Sequence, residues 1–376
     1  MHKCPVSVVI EGRNSMSTPE SRAPEARLKQ FASDNWAGIC PEAWNALERA
    51  NSGHAPAYGQ DEYTTRACDL IREFFEIDCE VFFTFNGTAA NSLAIASLCR
   101  SYHSVICHRS AHIETDECGA PEFFSHGAKL LHEPGENGKV LPGAVRECVH
   151  RRSDIHYPKP RVLSISQPTE LGTVYTPAEL KDLWAAARDC GLHIHMDGAR
   201  FGNALATLDC PPRELTWEAG VDVLCLGGSK AGLPVGDAVV FFDTALAEEF
   251  EYRCKQAGQL ASKMRFLSAP WIGMLEEGAY LRRASEANAR AAELEARLRE
   301  IPGVTIKYPR EANAVFADMP PQVARALHDQ GWSFYSFIGD AGARLMCSWD
   351  TTPEDVDALA SAIASLCDGR VSPKSS

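Results

Sequence analysis

Residues 221–242 read VDVLCLGGSKAGLPVGDAVVFF: two apolar runs separated by a turn of glycines and small residues that carries one lysine, Lys230. Such short runs, near-continuously apolar rather than alternating, read as strands covered on both faces. Small flexible residues between them allow a ligand to approach the backbone. A partly desolvated lysine in that turn can form a Schiff base with an aldehyde. Taken singly, it reads equally as a surface lysine in a strand connection, so the rest of the chain has to decide.

Outward from this stretch, strand-like runs at 80–85, 104–107, 162–166 and 193–196 alternate with amphipathic stretches at 63–75, 89–101, 142–150, 177–190 and 246–260. That alternation predicts an α/β fold with a mostly parallel sheet and helices on both faces. A long helical run at 276–300 follows. Candidate strands at 304–308, 314–318, 332–337 and 343–348 and a last helix at 353–365 then predict a smaller C-terminal α+β domain. The expected division is a large domain over 31–279 and a small one over 280–367. Residues 1–30 contain no secretory apolar core, because VSVVI is interrupted by Glu11, and their Ser, Pro, Arg and Glu content predicts a disordered arm. Residues 368–376 read as a frayed tail.

The chain has 376 residues, is 45% hydrophobic and carries a net charge of −13. This acidic balance favours solubility and argues against a nucleic-acid or anionic-membrane partner. No run is long enough to be a transmembrane helix. Fourteen scattered cysteines, with no Cys-x-x-Cys pair, read as free thiols in a reducing cytoplasm. No metal site is expected.

Two further segments carry chemistry. Residues 85–91, FNGTAAN, stand where a strand gives way to a helix. Gly87 permits the tight turn, and Thr88 sets a hydroxyl beside unpaired helix N–H groups, either an anion site or an ordinary N-cap. Residues 195–200, HMDGAR, follow the apolar strand of GLHIH. A carboxylate there, Asp197, lies where ligands bind in open α/β sheets, although a helix-capping role is the plainer alternative. Asp197 and Lys230, each after a strand and both downstream of a Gly-Thr helix start, form a conjunction that decoration does not explain.

With SDNWAGICPEAW (33–44), YGQDEYT (58–64), AHIETDECGAPEF (111–123) and ARLMCSWDTTPEDVD (343–357) added in order, the chain resembles the low-specificity L-threonine aldolase family. These are pyridoxal 5′-phosphate enzymes of fold type I, the aspartate-aminotransferase-like, PLP-dependent transferase-like fold. The resemblance implies that Lys230 carries the cofactor, Asp197 pairs with its pyridine nitrogen, His112 stacks on its ring, and Gly87 and Thr88 hold its phosphate. It further implies that Arg200 and Arg344 secure the substrate carboxylate with help from Ser33, and that His156 lies near the β-hydroxyl. Arg200 is also expected beside the cofactor. Tyr58, Lys255 and Arg265 are implied to serve a site across a dimer interface, in a homodimer or homotetramer. The proton acceptor is then His112 or His156, with His156 preferred because a stacked ring is constrained. Asp116 and Glu117 follow His112 where many relatives carry an apolar residue, which bears on the accepted aldehyde.

The implied activity is reversible cleavage of L-threonine, L-allo-threonine and related β-hydroxy-α-amino acids to glycine and an aldehyde. A β-eliminating lyase or an aminotransferase on the same scaffold is the alternative, and Arg200 directly after Asp-Gly-Ala speaks against the aminotransferase. A non-catalytic binding protein would not need Lys230, Asp197, His112 and Arg344 together.

Overall fold

The computed structural model describes residues 28–336 and 342–369; the rest of the expected arm and tail lies outside the described residues, as does Phe337 of the run at 332–337. The apolar runs form a seven-stranded sheet of β1 (Glu80–Thr84), β2 (His103–His108), β3 (Lys129–Glu133), β4 (Lys159–Ser166), β5 (His193–Gly198), β6 (Val223–Leu226) and β7 (Asp237–Phe241). Their order is β1-β7-β6-β5-β4-β2-β3. All pairings are parallel except those of β7, which runs antiparallel to both neighbours. The mostly parallel α/β expectation is met.

Near-continuous apolarity follows from burial on both faces. Along β6, Leu224 and Leu226 enter one core while Val223 and Cys225 enter the other. On β7, Ala238 and Val240 are likewise separated from Val239 and Phe241. Each successive residue points to the opposite face, so a strand covered by helices on both sides is apolar at most positions, and its polar residues, such as His195 and Asp237, are themselves buried. Helix Gly87–Leu98 covers one face with Ala90, Leu93, Ala94 and Ile95.

The C-terminal part holds an antiparallel sheet of β8 (Thr305–Ile306), β9 (Ala314–Asp318), β10 (Tyr335–Ser336) and β11 (Gly342–Met346), in the order β10-β11-β9-β8. Helix Ala279–Arg299 leads into it and Pro353–Cys367 closes it. Phe31 packs in this core, because Lys29 and Phe31 pair through their backbones with Ser333 at 2.8 and 2.7 Å.

Three local expectations need correction. The helix expected at 246–260 is a 3-10 turn Thr244–Ala247 and a short helix Phe250–Gln256, separated by Glu249 at φ 60°. That break turns Phe250 inward, to ring centroids 4.8 Å from Phe82 and 4.9 Å from Phe241. Edge strand β3 was not foreseen, being short and charged at both ends. Helix Arg265–Glu276 was hidden by an interior proline, Pro270, in a stretch that is largely buried and lacks a polar stripe. Among the described residues, no helix is long and apolar enough to cross a membrane.

Candidate active site

The carboxyl ends of β5 and β6 meet backbone to backbone. Gly227 N–H donates to Gly198 O at 3.0 Å, and a Cβ added at Gly227 would stand 2.2 Å from Ala199 O. Only glycine fits at this approach, which fixes the lysine turn against the aspartate turn. Lys230 sits in the 3-10 turn Ser229–Ala231. Asp237 anchors that turn from β7: its Oδ1 accepts from Gly228 N at 2.7 Å and Ser229 N at 3.1 Å, and burial pushes its carboxyl above the usual range.

Lys230 lines two adjoining hollows. The smaller, of about 260 Å³, is bounded by Asn86, Gly87, Thr88, His112, Asp197 and Ser229. Asn86 caps helix Gly87–Leu98 by accepting from Ala89 N at 2.9 Å, so the first N–H groups of that helix face the hollow's end. Asp197 is buried, with Oδ1 accepting from Ala199 N at 3.0 Å and Oδ2 from Asn91 Nδ2 at 3.0 Å. Burial opposes its ionisation, but the nearby charges of His112 and Lys230 and the Ala199 N–H outweigh it and hold the carboxyl low. An amine, a persistent buried carboxylate and a helix N-terminus around one hollow are a donor set suited to a phosphorylated pyridine aldehyde.

His112 begins the short helix His112–Thr115, and its Nδ1 lies 2.8 Å from Glu117 Oε1. Glu117 has a fully buried side chain and also accepts from Asn91 Nδ2 at 2.8 Å. Hydrogen bonding to Glu117 raises the His112 pKa against the effect of burial, while burial pushes the Glu117 carboxyl up. The hydrogen bond thus favours the protonated form of His112, and Asn91 ties the pair to Asp197.

The larger cleft, of about 940 Å³, includes Ser33, His112, Asp116, Glu170, Arg200, Lys230, Tyr335 and Arg344 in its walls. Arg344, on β11, donates from Nη2 to Ala32 O at 3.3 Å, and its buried Nε has no hydrogen-bond partner. Burial, followed by the charge of Arg200, lowers its pKa. An orphaned guanidinium N–H in a cleft with a lysine fits a bound carboxylate.

Arg200 stands in the site, but not as a free fork. It lines the larger cleft and not the smaller one, and its fork is already occupied: Nε and Nη2 donate to Asp34 at 2.6 and 2.9 Å. Asp34 is buried, accepts also from Asn313 at 3.2 Å, and is held below the usual carboxylate range because Arg200 outweighs the cost of burial. Ser33 caps this turn, its Oγ accepting from Asn35 N at 3.1 Å.

His156 stands apart from both hollows. It is exposed, in a turn where Asp154 Oδ1 accepts its N–H at 3.0 Å, and it lines neither hollow. Within one chain, His112 lines both hollows and His108 only the larger one. Tyr58, Lys255 and Arg265 lie outside both hollows too, but near one another. Lys255 Nζ is 4.6 Å from the Tyr58 ring centroid, Tyr58 N–H donates to Ser262 O at 3.1 Å, and Arg265 Nη1 is buried without a partner. Asn91, Asp34, Asp237 and Glu170 had been given no role from sequence, and Glu117 only a bearing on the accepted aldehyde. Asn91 lay in a quoted motif and Asp34 beside Ser33, the only signals that pointed to either.

Residues 30–321 match the family described as Beta-eliminating lyase. A low-specificity L-threonine aldolase of Pseudomonas sp. is 61% identical over 90% of this chain and 98% of its own length. The same-named protein of Pseudomonas aeruginosa is 60% identical over 88% of this chain and 96% of its own. A solved threonine aldolase of Leishmania major superposes with a TM-score of 0.85 at 28% identity, covering 90% of this chain and 99% of that one. The sheet order, the lysine and aspartate turns and these likenesses agree, and the chain belongs to the beta-eliminating lyase family and, within it, to the low-specificity L-threonine aldolases.

Proposed function

We propose that the chain cleaves L-threonine, L-allo-threonine and related β-hydroxy-α-amino acids to glycine and an aldehyde, using pyridoxal 5′-phosphate held by Lys230, Asp197, His112, Gly87 and Thr88. The observation that carries this is the convergence of the Lys230 amine and the Asp197 carboxylate on one hollow that opens to the unpaired Arg344. When bound, the cofactor supplies an electron sink for the pair left on Cα.

The chain's own residues supply the rest. Asp197, kept anionic, holds a proton at the ring nitrogen. Arg344 binds the substrate carboxylate with Ser33 beside it, and that anchor orients the Cα–Cβ bond for cleavage. Arg200, charge-paired with Asp34, keeps the far side of the carboxylate site positive without giving up its geometry. His112, tethered by Glu117, whose hydrogen bond favours its protonated form, faces the ring and returns a proton. Tyr58, Lys255 and Arg265 serve the neighbouring site in a dimer or a tetramer of dimers; the unpaired buried Arg265 Nη1 supports that reading. Thirteen described cysteines, all free, support a reducing cytoplasmic setting.

The test is a panel of β-hydroxy-α-amino acids with aldehyde and glycine detection, run beside Lys230→Ala. That variant loses the visible absorbance of the lysine-bound cofactor and the turnover. Activity within about tenfold of the parent, about 1.4 kcal/mol in barrier, defeats the assignment.

A further inference from the structure

Glu170 occupies an unusual place in the cleft. It stands at the tip of a loop after β4 that is pinned by its neighbours. Thr169 Oγ1 and Thr173 Oγ1 lie 2.8 Å apart, and both donate to Asn137 O, at 3.0 and 2.6 Å. Thr169 N–H donates to Thr173 O at 2.8 Å, Tyr175 N–H to Gln167 Oε1 at 2.9 Å, and Val174 N–H to Glu311 Oε2 at 2.7 Å. Every polar side chain around the tip is engaged in holding the loop. The Glu170 carboxylate, half-buried, makes no hydrogen bond or ion pair among the described residues.

The loop aims that carboxylate at the reacting region. Glu170 shares the main cleft with Lys230, His112 and Arg344, a side recess with Asp197, Arg200 and Arg344, and another with His108 and Ser110. Glu170 is near enough to both His112 and Arg344 for its charge to act on each, so a substrate held by its carboxylate at Arg344 and its amino group at Lys230 brings its β-hydroxyl into the cleft that Glu170 lines. His112 is a poor acceptor, because its Nδ1 is committed to Glu117 and its Nε2 lies 3.5 Å from Asp116 Oδ2. His156 is outside the cleft. His108, which also lines the cleft, is engaged by Ser110 and by Gly135 O, and Asp116 lies against His112, so Glu170, a rigidly presented carboxylate without a structural partner, is the acceptor that remains.

We propose that Glu170 is a catalytic residue that accepts the proton of the substrate's β-hydroxyl. The inference rests on the aldol-cleavage reading above. In the step, the O–H bond breaks and its proton passes to a Glu170 oxygen while the O–H electrons form the aldehyde carbonyl. The Cα–Cβ bond breaks with its electron pair remaining on Cα. A proton then returns to Cα, so that glycine and aldehyde leave with no net change in protons.

Glycine, which has no β-hydroxyl, separates this role from a structural one. In cofactor-loaded Glu170→Gln, kcat for threonine cleavage falls by about 10²- to 10⁴-fold, the range of general-base catalysis, and KM stays within about threefold. Exchange of the glycine α-proton with deuterated solvent, followed by NMR, and the glycine-induced change in visible absorbance remain near the parental level. Glu170→Asp, which keeps the carboxylate, retains more cleavage than Glu170→Gln. Parental cleavage by Glu170→Gln overturns the proposal, and so does loss of glycine exchange in proportion to cleavage or equal loss in both variants. Failure of the parent protein to form glycine from any substrate in the panel sinks the functional reading instead, before either variant is compared.

Discussion

Replacing Glu117 by Gln tests the electrostatics under the site with almost no change in volume. Glu117 Oε1 lies 2.8 Å from His112 Nδ1, and its side chain is shielded completely from solvent. A hydrogen bond to a charged group contributes about 1.5–3 kcal/mol and a neutral one about 0.5–1.5 kcal/mol, so removing the charge forfeits about 1–1.5 kcal/mol of preference for the imidazolium. At 1.36 kcal/mol per unit, the His112 midpoint should fall by about one pH unit. The charges of Asp197 and Glu170, which also favour protonation of His112, remain and limit the fall. The assay is NMR of the histidine ring nitrogens across pH, with His112→Asn identifying the resonance. Stability gives a second readout with a definite sign. The His112 pKa is raised in the folded state, so its contribution is complete below the unfolded value near 6.5 and is lost as pH rises through the folded value. Burial raises the Glu117 carboxyl as well, and that effect has the same slope at lower pH. The stability advantage of the parent over Glu117→Gln should therefore narrow as pH increases. An unmoved His112 midpoint, or an advantage that widens with pH, would refute the reasoning.

Other perturbations follow the same logic. Arg344→Gln should weaken threonine binding, read as a rise in KM of roughly 30-fold or more from a buried charge contact of about 2–5 kcal/mol, with the cofactor's visible absorbance retained; an unchanged KM would move the carboxylate site elsewhere. Asp34→Asn leaves buried Arg200 without its partner and should cost about 3–5 kcal/mol at neutral pH in urea unfolding. Because the Asp34 pKa is lowered in the fold, its stabilisation is present above the unfolded value near 3.9 and fades as pH falls through the folded one, so the deficit of the variant should shrink in acid. Gly227→Ala forces a Cβ to within 2.2 Å of Ala199 O and should cost at least about 1–3 kcal/mol, lowering Tm and cofactor uptake together. Phe250→Ala, at a fully buried position between Phe82 and Phe241, should cost about 3–5 kcal/mol in the same unfolding assay without altering the absorbance of folded holoenzyme.

What was legible in the sequence was what short segments encode by themselves. Strands β4 to β7 are apolar on both faces, so their pattern needs no partner to be recognised, and Asp197, Lys230 and Thr88 stand at element ends that the pattern marks. Glu117 illustrates the opposite case. Within ETDE it looks like one more surface acid, yet Cys118 at φ 52° and Gly119 at φ 73° turn the chain and bury it against Asn91, 26 positions away. Arg200 looked like a free fork because the group that occupies it, Asp34, stands 166 positions earlier. His156 was matched by its segment, but a segment cannot say whether its turn faces the cleft or the solvent. In all three cases the sequence leaves open which groups meet in space, and that is set by long-range packing rather than by local pattern. Once those pairs are assigned, the site becomes selective in a way the sequence does not display. Arg200 is balanced by Asp34, His112 by Glu117, and Asp197 is left for the cofactor's ring nitrogen. Among the described groups of the cleft, Arg344 keeps a guanidinium N–H and Glu170 its carboxylate without a partner, and a β-hydroxy-α-amino acid brings one carboxylate and one hydroxyl to meet them.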